Sequence, residues 1–453
     1  MKSLGTLLTL GLVACSTIAN NASSGASGTS LVPRAVGHHH PSLYITHVVI
    51  IVQENRSFDN LFNGFPGANT VQQGMNSHGL YVQLQPEPLT APYSLGHSHV
   101  PSWTTDYDNG AMNGFDLETS GCKGECPPKD TRSYAYVPES DAQPYWDIAS
   151  QYTIGDDMFE SSQGCSFPSH QYLVSGTSAI SDTSTLKFAE CPVTPAGRKT
   201  AGCDSPPHTL GLLIDEYGNE NQSAYPCVAR NSLMQEIEQA PSGLTWAYYA
   251  STTLDSLLNA PDALQTIRSE NSYAEHDISP PSHVLTDIGN GNLANVVWVT
   301  PTAAASDHPE RNNGSGPSWV ASVVNAIGES PYWNNTAIFV VWDDWGGFYD
   351  HVAPPIYNSY ELGFRVPLLV ISPYAKQGYV SHVQHEFGSI LKFTEEQFGL
   401  PSLGTTDARA DDLSDCFNFG SGSPRAKFRK IRAKYNAAYF LHQPRSTAVV
   451  DEE

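Results

Sequence analysis

The sequence ITHVVIIV at residues 45–52 is a short run rich in β-branched residues, a composition typical of a buried parallel strand. Three later runs have the same character: ANVVWVT at 294–300, AIFVVW at 337–342 and VPLLVIS at 366–372. Residues 318–327, which lie between two of these runs, show the apolar spacing of an amphipathic helix. This alternation of strand, helix and strand predicts an α/β fold with a mostly parallel central sheet flanked by helices.

Other segments complete the predicted architecture. Further helices are predicted at residues 141–152, 210–217, 387–398 and 427–440. Residues 63–135 are rich in Gly, Pro, Asn and Ser and show no clear period, so we expect a long ordered insertion near the functional site. No internal repeat divides the chain, and we predict a single large domain at residues 43–445 with long loop insertions.

The charge balance excludes some classes of partner. Acidic residues outnumber basic residues 46 to 23, which gives a formal net charge of −23 at pH 7. Such a surface is repelled by a polyphosphate backbone, so we expect no nucleic-acid binding. The densest basic stretch, RAKFRKIRAK at residues 425–434, is interpreted as the solvated face of a C-terminal helix. Nothing in the sequence indicates a protein partner.

The N-terminal residues have the character of a targeting segment. The apolar run at residues 4–14 is too short to span a bilayer but fits the core of a signal peptide. It ends in LVAC, which resembles a bacterial lipobox, so residues 1–15 are predicted to be a lipoprotein-type signal with Cys15 as the lipidated residue. The alternative is an ordinary cleaved signal with a chance cysteine.

Residues 16–42 are rich in Ser, Ala, Gly and Asn and are predicted to form a flexible tether. Together with the signal segment, the tether predicts an exported protein. It would be either a cell-envelope lipoprotein, with Ser16 permitting outer-membrane sorting, or a secreted protein.

Seven cysteines follow Cys15: Cys122, Cys126, Cys165, Cys191, Cys203, Cys227 and Cys416. Export makes disulfides plausible, and we expect Cys122 to pair with Cys126 and Cys191 with Cys203, because each pair closes a short loop. An odd number leaves at least one thiol free or intermolecular. A structural zinc site is the competing interpretation, but a single CxxxC is weak evidence for it.

Polar residues follow the predicted strands at the point where each strand ends. Glu54 and Asn55 come after the first strand, Asp343 and Asp344 after the third, and the second leads to His308. Because ligands bind at the carboxyl ends of parallel strands, we expect these side chains to meet at one edge of the sheet. Adjacent carboxylates repel one another, and a cation relieves that repulsion better than the alternative of a simple strand-end turn.

An oxygen-rich set of this kind suits one divalent metal ion. Calcium, magnesium or manganese fit such ligands, and added imidazole extends the choice to zinc or iron. A nucleophile candidate is Ser166 in GCSFPSH at residues 164–170, where the preceding glycine allows a tight turn into a helix. The N-terminus of that helix would favour a phosphate, although short Ser- and Gly-rich loops are common.

Five blocks of sequence resemble one known family. They are HVVIIVQENRSFDNLF at 47–62, GCSFPSHQYLVSGT at 164–177, SDHP at 306–309, TAIFVVWDDWGGFYDHVAPP at 336–355 and FRVPLLVISPYAKQGYVSHVQHEFGSILKFTEEQFGLP at 364–401. These blocks resemble the bacterial phosphoesterase family, which contains phospholipases C of the non-haemolytic type and related acid phosphatases. The resemblance implies an alkaline-phosphatase-like α/β fold, a phosphoesterase catalytic domain at residues 43–445 and metal-assisted hydrolysis through a phosphoserine.

The resemblance also implies roles for particular residues. Those that match the family's metal ligands are Glu54, Asn55, Asp343 and Asp344; Ser166 matches the nucleophile, and His308 and His351 match histidines that contact the phosphoryl group or the leaving oxygen. A further site histidine is expected before Tyr107, where His97 is preferred to His99. The chain departs from the family pattern at Cys165 (usually Pro), Ser169 (usually Asn) and Asp344 (often Glu).

Three functions are consistent with these residues. The chain is expected to hydrolyse a phosphate ester, either the head group of a phospholipid, as a phospholipase C does, or a small phosphomonoester, as an acid phosphatase does. The third alternative is a catalytically inactive surface lipoprotein that only binds phosphate or lipid. The retained nucleophile argues against it, because a binding module needs none. The larger relatives often carry extra β-rich domains, for which no residues remain after about 440.

Overall fold

The computed structural model describes residues 44–270, 273–420, 422, 425–446 and 448. The predicted signal segment at residues 1–15 and the tether at 16–42 lie outside the described residues. None of the described helices is long and apolar enough to cross a membrane.

An eight-stranded sheet forms the centre of the described chain. Its strands are β1 (His47–Gln53), β2 (Thr153–Gly155), β3 (Trp246–Tyr249), β4 (Asp277–Ile278), β5 (Val296–Val299), β6 (Thr336–Trp342), β7 (Leu368–Ile371) and β8 (Tyr379–Ser381). Across the sheet they follow the order β4-β3-β5-β1-β6-β7-β2-β8, so the first predicted strand lies near the middle. Residues Val48 to Val52 of β1 are buried on both faces, as a central parallel strand requires.

Seven of the eight strands run in the same direction, and β7 runs against its neighbours β6 and β2. The predicted mostly parallel sheet is therefore confirmed, with one reversed strand. The reversal has a simple cause: the connection from β6 to β7 contains no helix that could carry the chain back across the sheet. Antiparallel strands need no such crossover.

Five longer helices cover the sheet: α1 (Glu139–Gln151), α2 (Ser166–Ser175), α3 (His283–Asn290), α4 (Gly316–Gly328) and α5 (Phe387–Phe398). Shorter helices are Phe58–Leu61, Thr104–Tyr107, Leu233–Gln239, Gln265–Arg268, Tyr273–His276, Thr406–Arg409 and Ala437–Leu441. The helices predicted at 318–327 and 387–398 are confirmed in α4 and α5, and the one predicted at 141–152 coincides with most of α1.

Two predicted helices are wrong. Residues 210–217 contain the strand Gly211–Ile214, which pairs with Lys187–Phe188 and Gln222–Ala224 in a small antiparallel sheet. Four apolar residues before a turn at Asp215 make a hairpin strand rather than a helix. Residues 427–440 form a helix only at Ala437–Leu441.

The segment before that short helix, residues 425–434, has no regular secondary structure, and we call it the basic strap. Its apolar residues Ala426, Phe428 and Ile431 face the protein at a spacing that does not fit one side of a helix. Tertiary packing of these three residues therefore overrides the helical propensity of the lysines and arginines between them.

The insertion at residues 63–135 contains only short elements. The remaining strands in and around it are Gln73–Met75 with Tyr81–Gln83, Gln85–Pro86 with Ala135–Tyr136, and Met158–Phe159 with His385–Glu386. Aromatic residues of the insertion, among them Trp103, Phe115 and Tyr134, pack with Trp345 and Phe364 in a separate buried cluster. Because residue 345 follows the carboxyl end of β6, the insertion lies over that end of the sheet.

Three disulfides and one free thiol account for the seven described cysteines. Cys122 pairs with Cys126 as predicted, but the expected pair of Cys191 with Cys203 is wrong: the bonds are Cys165–Cys191 and Cys203–Cys227. The fold brings together residues from different loops, which loop length alone does not reveal. The odd thiol is the buried Cys416, and with every other described cysteine in a disulfide no cysteine-rich zinc site forms.

Candidate active site

The carboxyl ends of β1 and β6 place four predicted ligands side by side. The two strands are parallel and in register from His47 with Thr336 to Gln53 with Trp342, so the next residues of each chain segment are neighbours. These next residues are Glu54, Asn55, Asp343 and Asp344, all of them fully buried. The sheet register alone therefore brings two strand-end dipeptides together.

Asn55 connects the two strand ends through hydrogen bonds. Its backbone N–H donates to Asp343 Oδ1 at 3.0 Å, and its side-chain Nδ2 donates to Asp344 Oδ1 at 3.1 Å. Its amide Oδ1 is buried and accepts no hydrogen bond from the described residues. Asn55 has a left-handed backbone (φ 60°), and its carbonyl oxygen would lie 2.3 Å from a Cβ at residue 346, which explains Gly346.

His170 completes this group and was missed in the sequence. Its Nε2 lies 3.4 Å from Glu54 Oε1 and 3.8 Å from Asp343 Oδ2. The Tyr248 hydroxyl donates its hydrogen to Leu258 O at 2.6 Å, so at 3.4 Å from His170 Nδ1 it can only accept. Neutral His170 is thus protonated on Nδ1 and turns the lone pair of Nε2 toward two carboxylates, an arrangement that a cation stabilises.

The electrostatics of the group favour a metal ion. Burial and the charge of Glu54 raise the pKa of Asp343 to about 8. Burial, followed by the charges of Asp344 and Asp343, raises the pKa of the nearby Glu160 well above its usual range. Such shifts show that this pocket resists several ionised carboxylates at once unless positive charge enters. Glu54, His170 and Asp343 each offer a ligand atom within 4.8 Å of the others, so the donor set fits one divalent cation.

Ser166 stands next to this group at the start of a helix. It is the first residue of α2, is fully buried, and its Oγ lies 3.5 Å from Asp344 Oδ2. Its position and that of His170 are linked, because residues four apart lie on the same face of a helix. The N-cap residue Cys165 is joined to Cys191, so a disulfide ties the residue before Ser166 to a neighbouring loop.

Two predicted histidines, His97 and His308, lie together beside the site. His97 Nδ1 contacts Leu95 O at 2.9 Å and its Nε2 contacts Asn55 Nδ2 at 3.1 Å, so the proton is on Nδ1 and Nε2 accepts. His308 Nδ1 contacts Pro309 O at 2.7 Å, which fixes its proton in the same way. Their ring centroids are 5.9 Å apart. The alternative His99 instead pairs with Glu220.

Arg56 holds the loop that carries His308. Its guanidinium donates to Asp307 O from Nε and Nη2 at 3.0 and 2.8 Å, and to Leu89 O at 2.8 Å. These hydrogen bonds go to main-chain carbonyl oxygens rather than to a carboxylate. The Asp307 carboxylate accepts from Tyr145 and Trp342. Arg56 is therefore a positioning residue.

His351 lies in a different cluster from the residues above. Its Nδ1 is 2.6 Å from Asp59 Oδ2 and its Nε2 is 3.1 Å from Asn69 Oδ1. Burial lowers the pKa of His351, but the hydrogen bond and charge of Asp59 outweigh it and raise the pKa. Arg365 donates two hydrogen bonds to the Asp350 carboxylate, from Nε at 2.8 Å and from Nη2 at 3.1 Å. The second acidic group, Asp59 and Asp350, therefore already has a guanidinium as its counter-charge. The structure thus brings His97 into hydrogen-bond contact with Asn55 and places the His308 ring beside that of His97, whereas the hydrogen bonds of His351 lead to Asp59 and Asn69.

Two site residues escaped sequence reasoning. The spacing of Ser166 and His170 was a usable signal, since a helix predicted from Ser166 onward would have put His170 on the same face. Glu160 had no such signal, because it approaches Asp344 only through the packing of its loop, where its Oε1 accepts from Phe364 N at 3.0 Å. His385 contacts Ser381 and Asp411, neither of which belongs to the group around Ser166.

Comparisons with known proteins identify the family of the chain. The model of the Phosphoesterase family matches residues 45–401. Phospholipase C A of Mycobacterium tuberculosis is 26% identical over 434 residues, which cover 83% of this chain and 78% of that protein. Non-hemolytic phospholipase C of Pseudomonas aeruginosa is also 26% identical, and the match covers 83% of this chain and 58% of that protein. Non-specific phospholipase C3 of Arabidopsis thaliana is 24% identical, and the match covers 82% of this chain and 75% of that protein.

Solved structures with a related chain trace include a protein in the alkaline phosphatase superfamily from Vibrio parahaemolyticus. It is 9% identical, has a TM-score of 0.35, and the match covers 81% of this chain and 70% of that one.

Metal binding is expected to release a proton. With the Asp343 pKa at about 8, the metal-free carboxyl is protonated at neutral pH, and a divalent cation must displace that proton. The apparent affinity for Mn²⁺ should therefore rise about tenfold per pH unit below this pKa and level off above it. Calorimetry in two buffers of different ionisation enthalpy measures both the affinity and the released proton. An affinity independent of pH over this range would contradict the assignment of Asp343.

Replacement of His170 should weaken the metal site. We expect His170→Ala to reduce Mn²⁺ affinity by roughly 10- to 100-fold, as the loss of one ligand does. The matched control is His283→Ala, which removes an exposed histidine at the start of α3. Equal affinities of the two variants, measured by calorimetry on folded protein, would show that His170 is not a ligand.

Proposed function

The chain belongs to the Phosphoesterase family and is a hydrolase of phosphate esters, and we propose that it is metal-dependent and acts through a phosphoserine at Ser166. The observation that carries this proposal is the position of Ser166 Oγ, 3.5 Å from Asp344 Oδ2 and beside a buried group of metal-ligand type. A hydroxyl, a helix N-terminus and a set of hard ligands converge there, which is the arrangement that phosphoryl transfer requires.

Residues Glu54, Asn55, His170, Asp343 and Asp344 are the proposed ligands of one divalent ion. Such an ion, when bound, supplies Lewis-acid neutralisation of phosphoryl oxygens and lowers the pKa of a neighbouring hydroxyl. The buried amide oxygen of Asn55 and the lone pair of His170 Nε2 both suit a cation. The proposed metals remain calcium, magnesium, manganese, zinc and iron.

The protein's own groups then perform the reaction. Ser166 Oγ attacks the phosphorus in line with the leaving oxygen, while the N–H groups of Ser166 and Phe167 at the start of α2 face the phosphoryl oxygens. His97 and Asn55 orient the phosphate from the other side. We assign to His308 the transfer of the Ser166 hydroxyl proton to the leaving oxygen: its Nδ1 proton is fixed by Pro309 O, so Nε2 has the lone pair that takes the Ser166 proton and passes it on. Water then hydrolyses the phosphoserine by the reverse geometry.

The role proposed for His351 changes with its position. Its hydrogen bonds to Asp59 and Asn69 place it in the network of Arg365 and Asp350. We therefore propose that His351 supports the loop after β6, which carries Asp343 and Asp344, rather than donating a proton itself.

The contacts described above favour a phosphodiester over a phosphomonoester. They bring imidazoles, but neither lysine nor arginine, to the surroundings of Ser166. A phosphodiester carries one negative charge and a monoester at neutral pH carries nearly two, so the diester needs less neutralisation by the protein. The named relatives are phospholipases C, which agrees with a diesterase. Ser166 is fully buried, so we expect the loop of His97 to move when a substrate enters.

Export is part of the proposal. We retain the lipoprotein signal at residues 1–15 with Cys15 as the lipidated residue, the tether at 16–42 and the catalytic domain at 43–445. An inactive lipoprotein that only binds phosphate or lipid is disfavoured, because Ser166 and the ligand group lie together as a reactive centre rather than apart.

Substitution of Ser166 tests the proposed mechanism. We expect Ser166→Ala to reduce hydrolysis of p-nitrophenyl phosphorylcholine by about 10³- to 10⁵-fold, because it removes the attacking oxygen. Ser175→Ala, at the other end of the same helix, is the matched control and should stay within a few-fold of wild type. Wild-type protein that is acid-quenched during turnover of p-nitrophenyl phosphorylcholine should carry phosphorylcholine on the peptide that contains Ser166, as detected by mass spectrometry.

Three further results would overturn parts of the proposal. Full activity of Ser166→Ala would exclude the nucleophile but not the metal site, and activity unchanged by EDTA would exclude the metal. Faster turnover of p-nitrophenyl phosphate than of the phosphorylcholine diester would favour a phosphatase.

A further inference from the structure

We propose that the basic strap, residues 425–434, is a docking surface for anionic phospholipid head groups. This inference is independent of the proposed catalytic function, since it uses none of the site residues. It concerns a segment that the sequence interpretation had treated as an inert helix face.

The strap concentrates positive charge on a strongly acidic protein. It contains six of the chain's 23 basic residues and none of its 46 acidic residues. All six are exposed: Arg425, Lys427, Arg429, Lys430, Arg432 and Lys434. Lys430 pairs with Glu329 at 2.8 Å. The Lys430 side chain is 66% exposed and that of Glu329 is 50% exposed, so water and salt weaken the pair. The strap therefore presents a local positive field.

Buried contacts hold the strap in place. Phe428 packs against Trp333 with ring centroids 5.1 Å apart. The backbone N–H of Ala426 donates to Pro373 O at 2.8 Å, and Ile431 exchanges two hydrogen bonds with the Asn325 side chain at 2.8 and 2.9 Å. Because the backbone is fixed, the six cations are presented on one surface without the entropy cost of ordering a free tail.

The strap begins at the amino ends of the parallel strands. Phe428 contacts Trp333, which precedes β6, and Ala426 bonds to Pro373, which follows the reversed strand β7 at the same end of the sheet. The strap then runs along α4: Ile431 bonds to Asn325, and Tyr435, the residue after the strap, donates its N–H to Ser318 Oγ near the start of that helix. The cations therefore follow one side of the molecule, outside the group of residues around Ser166.

Aromatic residues adjoin the strap. Tyr44 and Tyr374 have ring centroids 5.2 Å apart, and Phe419 stacks on Tyr44 at 5.6 Å. Arg425 lies over the Tyr374 ring at 4.9 Å. Tyr44 and Phe419 are partly exposed. Partly exposed aromatic rings beside cations are the combination that favours the head-group region of a bilayer.

The chain enters the described domain at the same place. Tyr44 is the first described residue, so the segment that leads to Cys15 joins the domain beside the strap. A lipid anchor at Cys15, which the proposed function retains, would hold the protein near a membrane without determining which face meets it. The strap and the anchor would then supply two signals, which together give stable attachment where one gives only marginal binding.

Charge complementarity selects an anionic membrane as the partner. Acidic residues farther from the strap than a Debye length of about 8 to 10 Å are screened, so a flat anionic surface meets the cations first. A DNA duplex would satisfy the cations equally well, but its bases are already stacked on one another and offer the aromatic rings no partner. A second copy of the chain would offer acidic residues, which makes self-association an outcome for the test.

Vesicle sedimentation with the full chain tests the proposal. The strap variant is Lys427→Gln/Arg429→Gln/Arg432→Gln, and the matched control is Lys123→Gln/Lys129→Gln/Arg198→Gln, which changes the net charge equally. Wild type should bind vesicles containing about one third phosphatidylglycerol more tightly than pure phosphatidylcholine vesicles. The strap variant should bind the anionic vesicles roughly 100-fold more weakly than wild type, and the control should change less than about threefold.

The comparison of vesicle types isolates the strap from the N-terminal residues. The apolar run at residues 4–14 binds both vesicle types, and it is identical in all three proteins. Both variants should keep wild-type hydrolysis of p-nitrophenyl phosphorylcholine in solution and the wild-type unfolding midpoint, since all six positions are solvent-facing. The preference for anionic vesicles should disappear as salt is raised.

Three results would overturn the proposal. Equal binding of the strap and control variants would show that net charge, not the strap, controls association. Tighter binding of wild type to a DNA duplex than to anionic vesicles at the same salt would assign the strap to nucleic acid. Sedimentation equilibrium in which wild type dimerises and the strap variant does not would assign it to a second copy of the chain.

Discussion

The structure depends on the need to neutralise carboxylates buried at the carboxyl ends of β1 and β6. Parallel pairing in register makes Glu54 a neighbour of Asp343, and burial already raises the pKa of Asp343 to about 8. A buried group of this kind is unfavourable without a counter-charge. The hydrogen bonds of Asn55 fix the geometry of the group, and His170 Nε2 lies 3.4 Å from Glu54 Oε1, so the donor atoms are placed as the proposed cation would require.

Interactions farther from the site fix the positions of His308, His97 and the loop after β6. Arg56 fixes the loop of His308 through Asp307 O, and Leu95 O fixes the tautomer of His97. The ion-pair network of Arg365 supports the loop after β6. These buried polar contacts explain why several charged residues near the site are assigned no chemical step. They hold in place the few groups that face Ser166.

The sequence predicted the parts of the site that depend on strand ends. The β-branched runs located β1 and β6, and their parallel order places Glu54, Asn55, Asp343 and Asp344 together. It did not predict His170, whose role depends on which face of α2 meets the sheet. The Cys165–Cys191 bond and the separation of His351 from Ser166 also depend on loop packing. The strap was mistaken for a helix because charged residues with high helical propensity alternate there with three buried anchors.

The central claim is that one divalent cation binds between the two strand ends beside Ser166. A crystal soaked in Mn²⁺ and measured for anomalous scattering tests it directly. The account predicts one strong anomalous peak bounded by oxygens of Glu54, Asn55, Asp343 and Asp344, within ligand distance of Ser166 Oγ. The absence of that peak at saturating Mn²⁺, or a peak found instead among Asp59, Asp350 and His351, would contradict it.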